Sequence, residues 1–257
     1  MIEGMFLGMF MISACSFSTL LEHPASPVRL SIASADLRRF LGGIAMGLTA
    51  VLLIYSPFGR RSGAHMNPAT TLTFYRLGKV ALWDAAFYAL SHFVGGVFGT
   101  LIAFVALGQT LAHRNVNFAI ARPGMRGATP AFVAEVFITF LLMTVILNVS
   151  NSRRFARFTG LAAGMMVMLF ITFEAPFSGM SMNSARSFAS AFVGMQWRSI
   201  WIYFTAPLIG MFTAAEVFVR TRGLHGVICA KLSHSGNARC IFRCGYISEA
   251  AMSSTAE

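Results

Sequence analysis

Apolar positions in this chain neither alternate nor keep to one helical stripe. They fall into unbroken runs, six of them long enough, or nearly so, for the roughly 20 residues that cross a bilayer as a helix. The runs lie at about 5–21, 40–58, 80–108, 130–149, 158–173 and 196–219. The first could pass for a cleaved leader, but it has Glu3 where a leader carries basic residues, and no A-x-A-type site follows. It is read as a helix of the mature protein.

Two polar sentences interrupt this pattern. "SGAHMNPAT" (62–70) and "SGMSMNSAR" (178–186) agree at Ser, Gly, Met, Asn and Ala, and their asparagines, Asn67 and Asn183, are 116 residues apart. Each follows two apolar runs and precedes a third, so the chain reads as two halves of three spans. An odd number of spans per half turns the second copy upside down, the plan of many transport proteins whose interrupted helices meet at the membrane midplane.

After each asparagine comes a short apolar segment, 68–75 and 184–193. About ten helical residues rise only about 15 Å, half the hydrocarbon thickness. Both segments are therefore predicted as re-entrant half-helices. Their lead-ins, with Pro57, Gly59, Gly63, Pro176 and Gly179, are expected to be non-helical, and so must be buried in protein or line a wet cavity. Asparagine caps a helix N-terminus well, and proline suits the first turn. Inverted half-helices starting at Asn67 and Asn183 would aim the positive ends of two dipoles, each worth about half a charge, at one point. A pore through that point disfavours cations and protons while offering amide donors to a neutral solute. Arg186, three residues past Asn183, would add a full positive charge.

Composition sharpens the class. Charged residues make up 11% of the 257, against about 25% in ordinary soluble domains, and mean hydropathy is +0.67. The formal charge of +11 is not a nucleic-acid footprint, because the basic residues sit between spans. With the N-terminus inside, Arg60, Arg61, Arg76, Lys79, Arg153, Arg154, Arg157, Arg220, Arg222, Lys231, Arg239 and Arg243 fall inside. Outside fall Arg29, Arg38, Arg39, Arg114, Arg122, Arg126, Arg186 and Arg198. Twelve against eight places both termini in the cytoplasm, at a plasma (inner) membrane. Neither a carboxylate pair, a nucleophile–base set nor a phosphate loop emerges, so an enzyme is not expected, and no cofactor.

These motifs resemble those of the aquaporins, the major intrinsic protein family, over roughly residues 4–219. "SGAHMNPATTLTF" is similar to the family's first signature, with Asn67, Pro68 and Ala69. "SGMSMNSARSF" is similar to the second, with Asn183, Ser184 and Ala185, serine standing where proline is usual. "AEVFITF" (134–140) looks like the start of the fourth span, "YALSHFVGGVFG" like the third with His92 in place of glutamine, and "WIYFTAPLIG" like the sixth. The resemblance implies an all-α integral membrane protein, six transmembrane helices and two re-entrant half-helices in an inverted 3+3 repeat. A homotetramer follows, each protomer holding its own pore. The channel domain is placed at 1–219, with repeats at about 1–110 and 128–219, and a basic Cys/His-containing cytoplasmic tail at 220–257.

The resemblance also assigns roles. Glu135 would accept hydrogen bonds from the second re-entrant loop, and His65 would hold the first. In the first span the family's glutamate position falls on Met5; Glu3 is two residues off. The selectivity ring would comprise Met46, Ile171, Met180 and Arg186. Water-selective members pair the arginine with Phe and His, whereas here three walls are apolar and flexible. Ser187 after the arginine is the water-channel choice, and the ring looks more like a solute facilitator. The reading is a passive channel for water and small uncharged, glycerol-like solutes that excludes protons and ions. The alternatives are a coupled secondary transporter and a non-conducting membrane scaffold. Expected partners are those solutes, the lipid bilayer and other copies of the chain, and not nucleic acid.

The tail stands apart. Cys229, His234, Cys240 and Cys244 supply the ligand count of a Cys3His zinc site. The arginines nearby and the lack of a second close pair favour a basic, mostly unstructured segment near lipid, so no metal is assigned. Gly95, Gly96 and Gly99 mark a close helix–helix contact. His92 and Asp84 are packing or interface residues.

Overall fold

A computed structural model of the chain describes residues 1–152, 154–234, 240–242 and 244. Arg153, Arg239 and Arg243, counted above as inside, lie outside the described residues. Among the described residues, six helical stretches have the length and composition to cross a membrane, the fifth counted from Ala156. In chain order with the half-length ones, they are α1 (Ile2–Glu22), α2 (Ala35–Tyr55), α3 (Pro68–Arg76), α4 (Leu82–Leu107), α5 (Ala128–Ser150), α6 (Thr159–Phe173), α7 (Ser184–Gly194) and α8 (Ile200–Arg222). The helices have the make-up of a membrane-spanning bundle, with α5–α8 repeating the order of α1–α4.

The packing repeats as well. α1 lies along α4 and α5 along α8, while α2 and α6 cross between the halves. Half-helix α7 leans on α4, and α3 leans on both α4 and α8. Hydrophobic burial does not separate helices from lipid, so close contact has to be won by small residues. A β-carbon on Gly95 would strike the backbone of Gly4, and one on Gly99 would strike Gly8. A β-carbon on Gly96 would lie 3.1 Å from the Ala189 methyl, so its absence lets α7 seat on α4. In the other half, Gly210 of α8 meets Thr139 and Val136 of α5 in the same way. The outward faces carry the bulk instead: Leu52, Val105 and Phe173 are 71%, 85% and 70% exposed. So much bare apolar surface suits acyl chains or a neighbouring subunit rather than water.

The lead-ins differ from expectation. Pro57–Ser62 and Ala175–Ser178 each form a short helical turn, so only 63–67 and 179–183 are non-helical. Proline is a breaker inside a helix but a good first-turn residue, and Ser56 caps the earlier turn by accepting from Gly59 N at 2.9 Å. The last helix runs to Arg222, past the 219 boundary. The tail's described residues fold back onto the helical bundle, where an unstructured segment was expected. Ile228 N donates to Asn151 Oδ1 at 2.6 Å, and Leu232 N to Gly63 O at 3.1 Å.

Candidate functional site

Both half-helices are capped by their asparagines. Asn67 Oδ1 accepts from Ala69 N at 2.9 Å, and Asn183 Oδ1 accepts from Ala185 N at 3.1 Å and Arg186 N at 3.2 Å. Pro68 and Ser184 each occupy the first helical position, so serine opens the second half-helix as proline opens the first. The carboxamide nitrogens cross between halves. Asn67 Nδ2 donates to Met182 O at 2.7 Å, and Asn183 Nδ2 donates to Met66 O at 2.7 Å. A carboxamide nitrogen has two hydrogens, so each asparagine keeps one for a solute.

The preceding backbone is forced into an unusual shape, twice. Gly63, Ala64 and Met66 have φ of 106°, 57° and 51°; Gly179, Met180 and Met182, each 116 residues on, have 80°, 48° and 56°. Non-glycine residues avoid this left-handed region and hold it only where surroundings over-determine it. Carboxylates supply that constraint. Glu135 accepts from Ser178 Oγ and Ser181 N, both at 2.7 Å, and from Met182 N at 2.8 Å. In the first half the anchor is Glu3, accepting from Met66 N at 2.7 Å and contacting His92 Nε2 at 3.1 Å. The spacing that put this position on Met5 is corrected: Met5 faces outward, 46% exposed, while Glu3 is 1% exposed. Tyr203 adds a bond from its hydroxyl to Ser178 O at 2.5 Å.

His65 is buried and bridges three parts of the molecule. Its Nε2 lies 2.8 Å from Ala230 O and its Nδ1 2.9 Å from Thr71 Oγ1. A carbonyl only accepts, so Nε2 carries the proton, and Nδ1 accepts from the threonine hydroxyl. His65 thus joins the first lead-in to its half-helix and to the tail.

A cavity of about 490 Å³ runs past both asparagines. Met46 from α2, Ile171 from α6, Met180 from the second lead-in and Arg186 from α7 all line it. Arg186 Nη1 is buried there with no hydrogen-bond partner among the described residues, a strong donor available to a solute. Beyond the ring the lining includes Glu22, Arg38 and Arg39. Arg38 is held by Glu22 at 3.2 Å and by Ile32 O and Ala33 O at 2.7 and 2.9 Å. On the other side of the asparagines the lining ends in Ile54, His65 and Leu232. The passage is apolar-walled, with hydrogen-bond donors at its centre and Arg38, Arg39 and Glu22 toward one mouth.

Linear motifs missed several of these parts. Glu3 and His92 act as a pair that forms only because the glycine contact of α1 with α4 juxtaposes them. Ala230 and Leu232 contribute backbone groups, which leave no mark in a sequence. Cys229, His234, Cys240 and Cys244 are brought together, their ligand atoms all within 4.8 Å of one another.

Comparison with known proteins agrees with this geometry. Residues 6–218 match the profile of the Major intrinsic protein family. Aquaporin NIP1-2 of Arabidopsis thaliana is 35% identical over 187 residues, 71% of this chain and 63% of that protein. Nodulin-26 of Glycine max is 33% identical over 176 residues, 68% of this chain and 63% of that one. The chain thus spans less than two thirds of the length of these relatives. The X-ray structure of the aquaglyceroporin from Plasmodium falciparum superposes with a TM-score of 0.67 at 18% identity, covering 84% of this chain and 93% of that one.

Proposed function

The chain belongs to the major intrinsic protein family, and on that footing we infer that it is a passive channel for water and small uncharged, glycerol-like solutes rather than an enzyme. The observation that carries this reading is the reciprocal pair of carboxamide bonds between Asn67 and Asn183 inside a continuous cavity. Two helix N-termini and two spare amide hydrogens converge there, so a solute's oxygen can be held as an acceptor from both sides. A chain of waters passing this point would have to orient outward from it, which interrupts proton hopping; the dipoles and Arg186 oppose cations.

Met46, Ile171, Met180 and Arg186 form the selectivity ring in this proposal. Three flexible apolar walls and one guanidinium suit a solute with a carbon face and a hydroxyl face better than water alone. Glu135 and Glu3 are positioning residues that set the lead-ins, and His65 has the same role. The bare apolar faces of the helices support a homotetramer in a bilayer. The excess of basic residues on one set of connections supports both termini being cytoplasmic, in a plasma (inner) membrane on this reading. The channel domain, set at 1–219 from the sequence, extends to the end of α8 at Arg222, and the tail follows it.

Osmotic challenge of proteoliposomes with sucrose, glycerol or urea, followed by light scattering in a stopped-flow instrument, tests the function. The channel reading expects faster volume change than in empty vesicles for water and at least one small neutral solute. Rates equal to those of empty vesicles for every solute would leave a non-conducting scaffold. Uptake that requires a proton or sodium gradient would identify a coupled transporter.

A further inference from the structure

The pore makes no use of the tail cluster. Cys229 and Cys240 are buried, with Sγ atoms 3.6 Å apart, and Cys244 Sγ lies 3.5 Å from His234 Nε2. All four ligand atoms are within 4.8 Å of one another. Tetrahedral zinc, with Zn–S of about 2.3 Å and Zn–N of about 2.0–2.1 Å, holds its ligand atoms roughly 3.5–3.8 Å apart. The Cys229–Cys240 and Cys244–His234 pairs already match that, and the longest separation closes with about an ångström of side-chain movement. Lys231 N donates to Cys229 Sγ at 3.4 Å, the kind of amide support a metal-bound thiolate needs. Three sulfurs and one imidazole select a soft or borderline cation over magnesium or calcium.

The location of the cluster makes it more than a tail ornament. Leu232 lies between Cys229 and His234 in sequence; it lines the pore cavity and its amide donates to Gly63 O at 3.1 Å. Ala230 O accepts from His65 Nε2 at 2.8 Å. Phe242, between Cys240 and Cys244, stacks on the His65 ring at 5.7 Å between centroids with planes 3° apart. Each ligand pair therefore brackets a residue seated on the first lead-in.

We propose that Cys229, His234, Cys240 and Cys244 form a Cys3His zinc site, and that zinc clamps Leu232 across the pore mouth and holds Phe242 against His65, which lines it. The ion displaces three thiol protons to solvent and ties both brackets together. Metal loss frees both seats at once, so the bound state is the closed one. The clamp rests on the channel reading; the metal site does not.

The full chain, purified in detergent under reducing conditions, is assayed for zinc by elemental analysis. One zinc per chain is expected, falling at least tenfold in Cys240→Ser and Cys244→Ser. Cobalt loaded into the wild-type protein gives thiolate-to-metal charge-transfer bands, a readout that needs no variant. A metal-free wild-type chain with reduced thiols, or a Cys229–Cys240 disulfide in place of metal, overturns the site. In proteoliposomes, zinc removal by a chelator, and separately Leu232→Ala with zinc retained, are expected to raise solute flux severalfold. Flux unchanged by chelation overturns the clamp. Absence of flux in every state overturns the channel reading and the clamp with it, while zinc stoichiometry still decides the site.

Discussion

Asn67 and Asn183 each donate a hydrogen at 2.7 Å to the backbone carbonyl immediately before the other, Met182 O and Met66 O. Each residue also caps its own half-helix through its carbonyl oxygen. One side chain thereby starts a helix, fastens it to the opposite half and keeps one donor for the pore.

Replacing Asn183 with alanine removes the cap, about 1 kcal/mol, and strands a buried carbonyl, about 1–3 kcal/mol. Asn183→Ala is expected to lower the unfolding temperature in detergent and to reduce water flux severalfold. Asn183→Asp keeps the cap but sets an oxygen against Met66 O, so its flux should fall as far although its helix start is intact. Thermal unfolding and stopped-flow scattering on both variants check this.

Glu3→Ala is expected to leave the Met66 amide and the His92 ring without their acceptor, at about 1–3 kcal/mol for each buried group. Met5→Ala, at an outward position, should cost less than about 0.5 kcal/mol. The unfolding midpoints of the two variants rank the positions directly, and equal midpoints would argue against Glu3 as the anchor.

Exchanging Ile171 for His and Met180 for a smaller polar residue replaces two apolar walls of the ring with polar ones. The glycerol-to-water permeability ratio is expected to fall severalfold while Arg186 keeps ions out. A ratio that does not move would place the selectivity step elsewhere along the cavity.

Gly95→Leu should prevent α1 from closing on α4, because even a β-carbon there meets the Gly4 backbone. No monodisperse protein is expected on size-exclusion chromatography. Gly78→Ala has open space but φ of +69°, so its cost is backbone strain alone, about 1 kcal/mol, and the protein should remain folded.

The parts of the fold that were legible beforehand are those repeated in one dimension. Runs of apolar residues marked the spans, and the 116-residue echo located both half-helices and Arg186, whereas Glu135, Met46, Ile171 and Met180 came from the resemblance to the family's motifs. What escaped depends on approach rather than order. Glu3 serves the first lead-in from the first turn of α1 because Gly4 and Gly8 let α1 sink against α4, which a spacing rule anchored on Met5 does not register. Pro57 and Pro176 were weighed as breakers although both sit where proline begins a helix. The docking of the tail rests on main-chain groups of Ala230 and Leu232, and any residue at those positions would carry the same atoms.

The crossed bonds of the two asparagines also impose an order on synthesis. When Asn67 emerges from the ribosome, the carbonyl it must reach is still 115 residues away, and so is most of the wall that will hide its lead-in. Until the second half is made, Met66 O lacks the partner it has in the folded chain, although Glu3 already holds the Met66 amide. Completion of the second half supplies both missing contacts in one step.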